Sequence, residues 1–149
     1  MRIAVLNGPN LNLLGTREPD VYGHESLDDI ERSLRSVAAR VGAVLEFAQH
    51  NGEGELIDAI HALRGRIDGV VINAGAYTHT SIAIRDALTA IGVPFIEVHL
   101  TNVYAREPER RHSALAPAAL GVVCGFGAAS YEVALRGLVG SLQQVAARG

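Results

Sequence analysis

Five short apolar runs recur along this chain, and each is bounded by turn residues: 2–6, 44–48, 69–72, 94–100 and 121–124. A run of four to seven apolar residues is too short for a typical helix and suits a strand buried on both faces. Between the runs, apolar residues recur at spacings of three and four, the period of an amphipathic helix. Strands that alternate with helices in this way form a parallel sheet with helices on both faces.

The first helix is expected to start at Ser26, a good N-cap, with Asp28 and Asp29 favouring the helix dipole. Leu27, Ile30, Leu34, Val37 and Val41 form its apolar stripe, and Gly42 stops it. A second helix spans about 53–63, with Leu56, Ile57, Ile60 and Leu63 inward and His61 outward. A third spans 81–90, with Ile84, Ala87, Leu88 and Ile91 on one face and Arg85 and Asp86 toward the other. The last covers about 128–147, its buried stripe being Tyr131, Ala134, Leu135, Leu138, Leu142 and Val145. The compact five-strand arrangement of such units is α/β and flavodoxin-like, with strand order 2-1-3-4-5. No repeat or linker interrupts it, so residues 1–149 are expected to make one domain.

Composition excludes several chemistries. All thirteen basic residues are arginine and none is lysine. A side-chain Schiff base and a Walker-type phosphate loop both need lysine, so neither is available. Phosphoryl-receiver chemistry, which uses a lysine beside its acidic site, is disfavoured. The net charge of −3 argues against nucleic-acid binding. The apolar start, 3–6, is too short for a signal peptide or membrane span, which points to a soluble cytoplasmic protein. The single cysteine, Cys124, reads as a small buried hydrophobe. Six scattered histidines show no paired ligand spacing, so no metal is expected. No Gly-x-Ser-x-Gly elbow seats a hydrolase nucleophile.

The fourth strand is unusual because it carries two ionisable residues. Glu97 and His99 are two apart and share one face, while Ile96, Val98 and Leu100 take the other. Burying both groups is costly unless they are paired or used. A carboxylate beside an imidazole fixes its tautomer and favours its protonated form, which suits a general acid. The alternative is an edge strand with one wet face.

Other polar runs fall at the same end of the sheet. Asn7-Gly8-Pro9-Asn10 follows the first strand, 73–80 follows the third, and His99 to Asn102 close the fourth. In such sheets ligands bind beyond the carboxyl ends of the strands, near the point where strand order reverses. Three separate runs therefore converge on one crevice. Singly, each residue has a structural alternative: Asn73 as a turn former, His79 or Thr80 as a helix cap. The segment 11–23, with a polar stretch flanked by Gly15 and Gly23, has the composition of a mobile lid or a surface loop. The charged loop 102–112 can be a solvated, salt-bridged surface. Gly125-Phe126-Gly127-Ala128-Ala129-Ser130 imitates a dinucleotide fingerprint, but it follows the last strand and reads as tight packing before the final helix.

Together these residues resemble a known family. The run from Asn7 to Gly15, then Arg17-Glu18-Pro19 and Tyr22-Gly23, resembles the start of type II 3-dehydroquinate dehydratases. The run from Asn73 to Ser81 resembles the middle motif of that family. Glu97 to Asn102, followed by Ala105-Arg106-Glu107 and Arg111-His112-Ser113, resembles the third. The resemblance spans essentially the whole chain. Departures are local: Ala114 stands where an aromatic is common, and Ala129-Ser130 where glycine is frequent.

The resemblance implies cofactor-free loss of water from 3-dehydroquinate to give 3-dehydroshikimate, by anti elimination through an enolate. Tyr22 would take the C2 proton. A phenol is ordinarily protonated at neutral pH, so cationic neighbours must favour phenolate, and the resemblance points to Arg17 and Arg106. Asn10 would stabilise the enolate oxygen through an ordered water, a contribution of about 3 kcal/mol for one well-placed donor. His99, oriented by Glu97, would protonate the departing C1 hydroxyl. Backbone N–H groups at Leu100 and Thr101, with the Thr101 hydroxyl, would hold the carboxylate. Asn73, His79 and Arg110 would bind ring hydroxyls, and Asp86 of a neighbouring subunit would complete the site. The family forms trimers that assemble into dodecamers. The competing expectation is a non-enzymatic flavodoxin-like module binding a nucleotide or flavin, or a catalytically dead homologue.

Overall fold

The computed structural model describes residues 1–16 and 18–149; Arg17 lies outside the described residues. Five parallel strands form one sheet in the order β2-β1-β3-β4-β5. They are β1 (Arg2–Asn7), β2 (Val44–Gln49), β3 (Gly69–Asn73), β4 (Phe95–His99) and β5 (Gly121–Cys124). The helices are α1 (Pro19–Tyr22), α2 (Leu27–Val41), α3 (Glu53–Ala62), α4 (Ile82–Ile91) and α5 (Ala129–Arg148). This is the doubly wound arrangement expected from the alternation of apolar runs and amphipathic stretches.

Side chains of the central strands alternate between two cores, as a pleated strand requires. Ile3, Val5, Val71, Ile96 and Val98 pack with α2 and α5. Ala4, Leu6, Val70 and Ile72 pack with α3 and α4 on the opposite face. Burial on both faces explains why β1 and β3 read as nearly unbroken apolar runs.

The signals that start and stop α2 act as expected, while the α4 cap differs. Ser26 accepts the Asp29 N–H at 3.1 Å, and the Asp29 carboxylate accepts the Ser26 N–H at 3.0 Å, a reciprocal capping box. Gly42 ends α2 at φ +78°. At α4 the cap is Ser81, whose hydroxyl accepts the Ile84 N–H at 2.9 Å; neither His79 nor Thr80 serves.

Four details differ from expectation. The segment after β1 is not all loop: Leu11–Leu13 forms a 3-10 turn, and Pro19 starts the single turn of α1, where its fixed φ is preorganised. Leu11 and Leu14 are buried and anchor the start of the segment in the core. Val145 is 69% exposed, because the 20-residue α5 runs about 30 Å and outreaches the strands beneath it. Cys124 is only half-buried, since β5 is an edge strand. Finally, Gly125 and Gly127 take φ +101° and +61°; the backbone turn into α5 demands them, and around Gly127 there is open space rather than tight packing.

Strands β1 and β3 each run one residue further than their apolar patterns, through Asn7 and Asn73, which sit side by side in register. Both are buried. Their side chains are satisfied internally, as the site shows.

Candidate active site

A crevice opens beyond the carboxyl ends of β1, β3 and β4, about 560 Å³ of space that is in part open to solvent. Nine of the residues singled out in the sequence line it: Asn10 and Tyr22 from the segment after β1, Asn73 and His79 around the end of β3, His99, Leu100 and Thr101 at the end of β4, and Arg106 and Arg110 from the charged loop. The charged loop is therefore more than a solvated surface. It places two guanidinium groups over the crevice.

Backbone geometry brings the lining together. Gly8 N–H donates to the Asn73 carbonyl at 2.7 Å, and a Cβ at residue 8 would collide with the Ala74 carbonyl. Only glycine permits that approach between the β1 and β3 loops. Asn10 then takes the left-handed conformation at φ 70°, which asparagine tolerates better than most residues. Its N–H donates to the Asn51 side chain at 3.0 Å.

On β4 the Glu97–His99 pair is buried, with 1% and 7% exposure, so the wet-edge alternative does not hold. His99 Nε2 lies 3.5 Å from Glu97 Oε1. The same oxygen accepts the Thr78 and Ser113 hydroxyls, each at 2.5 Å. Ser113 in turn accepts the Leu115 and Ala116 N–H groups at 3.1 and 2.9 Å, so its own hydrogen is directed to Glu97. Burial alone would push the Glu97 carboxyl up. The hydrogen bonds from His99, Ser113 and Thr78 outweigh burial and hold it below the ordinary glutamate value. A carboxylate accepts only, so Nε2 of His99 carries a hydrogen and Nδ1 is the atom left for a ligand.

His79 stacks on His99, with ring centroids 6.3 Å apart and an interplanar angle of 14°. Its Nδ1 lies 2.8 Å from the His112 carbonyl, which can only accept. The hydrogen therefore sits on Nδ1, and Nε2 of a neutral ring offers a lone pair. The Arg106 guanidinium lies 5.2 Å from the centre of the Tyr22 ring, within cation–π range. Arg110 is held by Glu107, Nε to Oε2 at 2.5 Å.

Two expected residues are not in the crevice. Glu97 stands behind His99. Asp86 points outward from α4, its side chain 72% exposed and 3.8 Å from Arg85. Arg17 falls outside the described residues. Among those described, no three His, Cys, Asp or Glu side chains are grouped to hold a metal ion.

The sequence reading missed the supports. Thr78 and Ser113 lie inside recognisable motifs, yet nothing in the sequence shows which carboxylate they face. Tyr131 reads only as part of an apolar stripe, although a buried phenol always needs a partner for its hydroxyl. Its partners are Asn7 and Asn73.

The family model for class II dehydroquinases matches residues 1–139. The chain belongs to that family. It is 64% identical over 143 residues to a 3-dehydroquinate dehydratase of Gemmatimonas aurantiaca, covering 96% of this chain and 94% of the relative. It is 58% identical over 133 residues to a catabolic 3-dehydroquinase of Penicillium rubens, covering 89% and 86%. The crystal structure of the type II dehydroquinase from Butyrivibrio crossotus superposes with a TM-score of 0.90 at 41% identity, covering 93% of this chain and 97% of that one. Among the described residues no helix is long and apolar enough to cross a membrane.

Proposed function

We propose that this crevice dehydrates 3-dehydroquinate to 3-dehydroshikimate, with Tyr22 as base and His99 as acid. The observation that carries the assignment of roles is that both side chains line one crevice, with a guanidinium over the phenol and a buried carboxylate behind the imidazole. Membership of the class II dehydroquinases supplies the reaction.

The Tyr22 oxygen takes a proton from C2, and the C2–H electron pair moves into the neighbouring ketone as an enolate. The Arg106 guanidinium, and that of Arg17, stabilise negative charge on the phenol oxygen before transfer. Asn10 stabilises the enolate oxygen through a water. The electron pair then returns to form the C1=C2 bond as the C1 hydroxyl departs, taking the proton from His99 Nδ1 and leaving as water. Leu100 and Thr101 hold the substrate carboxylate. Asn73, His79 and Arg110 hold the ring hydroxyls, with His79 Nε2 accepting. No metal or organic cofactor enters.

The 149 residues act as one catalytic domain in the cytoplasm. The exposed Asp86 serves the crevice of a neighbouring subunit, in trimers that assemble to a dodecamer. The test uses purified protein and 3-dehydroquinate, following the ultraviolet absorbance of the conjugated enone with and without chelator or borohydride. Turnover insensitive to both is expected. Inhibition by either reagent, or no turnover, overturns the proposal.

A further inference from the structure

Behind the crevice lies a buried polar relay of which the chemistry above uses Asn73 and no other member. The Tyr131 side chain is 0% exposed and reaches from α5 between the ends of β1 and β3. Its hydroxyl donates to Asn7 Oδ1 at 2.6 Å and accepts from Asn73 Nδ2 at 3.0 Å. Asn7 Nδ2 donates to the Ala48 carbonyl at 3.2 Å, and Asn73 Oδ1 accepts the Gly75 N–H at 3.1 Å. Asn7 is 0% and Asn73 3% exposed. Of this group Asn73 and Gly75 line the crevice, and Asn7 and Tyr131 do not.

The direction of every bond is forced. A carbonyl can only accept, so Ala48 turns the amino group of Asn7 toward itself and the Asn7 oxygen toward Tyr131. That oxygen claims the single phenol hydrogen. The phenol oxygen is then left as an acceptor and must meet the amino group of Asn73. The Asn73 oxygen accordingly faces Gly75 N–H. Each link has one orientation that satisfies both sides, and the opposite flip of either amide places two donors or two acceptors face to face. Burial makes such a mismatch expensive, because no water is at hand to repair it. The burial also pushes the phenol up from its ordinary value, which keeps it protonated and fit to donate.

We propose that Tyr131 is a positioning residue for turnover: it fixes the amide orientation of Asn73, so that one N–H and one oxygen lone pair of Asn73 are presented to the substrate's ring hydroxyls. The inference rests on the assignment of the crevice as the dehydratase site. Removing the phenol hydroxyl leaves Asn73 held by Gly75 N–H but with its amino group short of a partner, which loosens the amide and weakens its hold on a neutral hydroxyl, acting alike on bound substrate and transition state. The loss therefore falls on KM more than on kcat.

The test is a double-mutant cycle on kcat/KM for 3-dehydroquinate, read beside Tm. Tyr131→Phe keeps the ring and its packing. It is expected to lower kcat/KM about tenfold, mostly through KM. In an Asn73→Ala background the same change should alter kcat/KM by less than twofold, while its effect on Tm persists in both backgrounds. Asn7→Leu, at a residue that does not line the crevice, should raise KM in the same way and serves if Tyr131→Phe does not fold. Equal losses in both backgrounds, or kcat/KM for Tyr131→Phe within twofold of the parent chain, overturn the relay. Absence of turnover in the parent chain overturns the site assignment instead, so the two failures are distinct.

Discussion

Glu97→Gln isolates the charge behind His99 with little change of shape. The glutamine oxygen can still accept the Thr78 and Ser113 hydroxyls that now reach Glu97 Oε1 at 2.5 Å, so the local fold is expected to survive. What disappears is the negative charge 3.5 Å from His99 Nε2. At that distance and an effective dielectric near 20, the Coulomb attraction for an imidazolium is about 5 kcal/mol, an upper limit. Hydrogen bonds to charged groups measure about 1.5–3 kcal/mol net, since part of the gain offsets desolvation. Taking the measured range, the protonated imidazole that must deliver a proton is weakened by a factor of roughly 10 to 150.

In the proposed mechanism His99 gives up its proton only as the C–O bond breaks, so the loss should appear in kcat. Steady-state assays at neutral pH, following the enone absorbance, are expected to show kcat lowered roughly 10- to 150-fold with KM changed much less. A circular dichroism spectrum like that of the parent chain checks the fold. A kcat within threefold of the parent would refute the reasoning, because the carboxylate would then be a structural hydrogen-bond acceptor and nothing more. Loss confined to KM would refute it as well, placing Glu97 in substrate binding.

Further outcomes follow from the same geometry. Tyr22→Phe should abolish turnover while 3-dehydroquinate still binds by calorimetry, and His99→Ala should lower kcat by about 10²–10⁴, the usual worth of a placed acid or base. Ser113→Ala leaves Glu97 one hydroxyl donor, Thr78; a loss of kcat of about tenfold is expected, with a lower Tm. Because the Glu97 carboxyl titrates below its unfolded value, it stabilises the fold above that value, about 4.3, and this contribution is lost as pH falls through the folded value. Tm measured from pH 7 to 3 should therefore fall more steeply for the parent chain than for Glu97→Gln. If chains carrying Tyr22→Phe and Asp86→Ala, each inactive alone, regain no activity when unfolded and refolded together, Asp86 does not serve a neighbour's crevice.

Much of this was legible from residue order. Buried parallel strands leave a largely apolar signature, and amphipathic helices leave a period, so the five-strand order and the helix cap at Ser26 could be read directly, whereas the α4 cap fell on Ser81 rather than on His79 or Thr80. The lining of the crevice was legible too, because the sheet delivers the ends of β1, β3 and β4 to one place. Long-range pairing of polar side chains was not. Ser113 lies 16 residues from Glu97, and Tyr131 lies 124 from Asn7; no local pattern couples them. The glycines before α5 misled for a related reason. Spacing shows that glycine is present, while only the φ angle shows whether conformation or crowding requires it.

The asparagines at the strand ends make the general point. As isolated letters, Asn7 and Asn73 signal turns, and a reading by propensity stops each strand before them. In the fold both continue the ladder, their amides tied into the phenol relay of Tyr131. Polar residues in those positions weaken the local strand signal and would be costly to bury singly. Held as a set, their amides are satisfied by one another's neighbours, and Asn73 lines the crevice. The residues hardest to read as secondary structure are thus the ones that join the core to the site. Deviations from apolar patterning at a strand's carboxyl end in a doubly wound sheet should be read first as parts of the site.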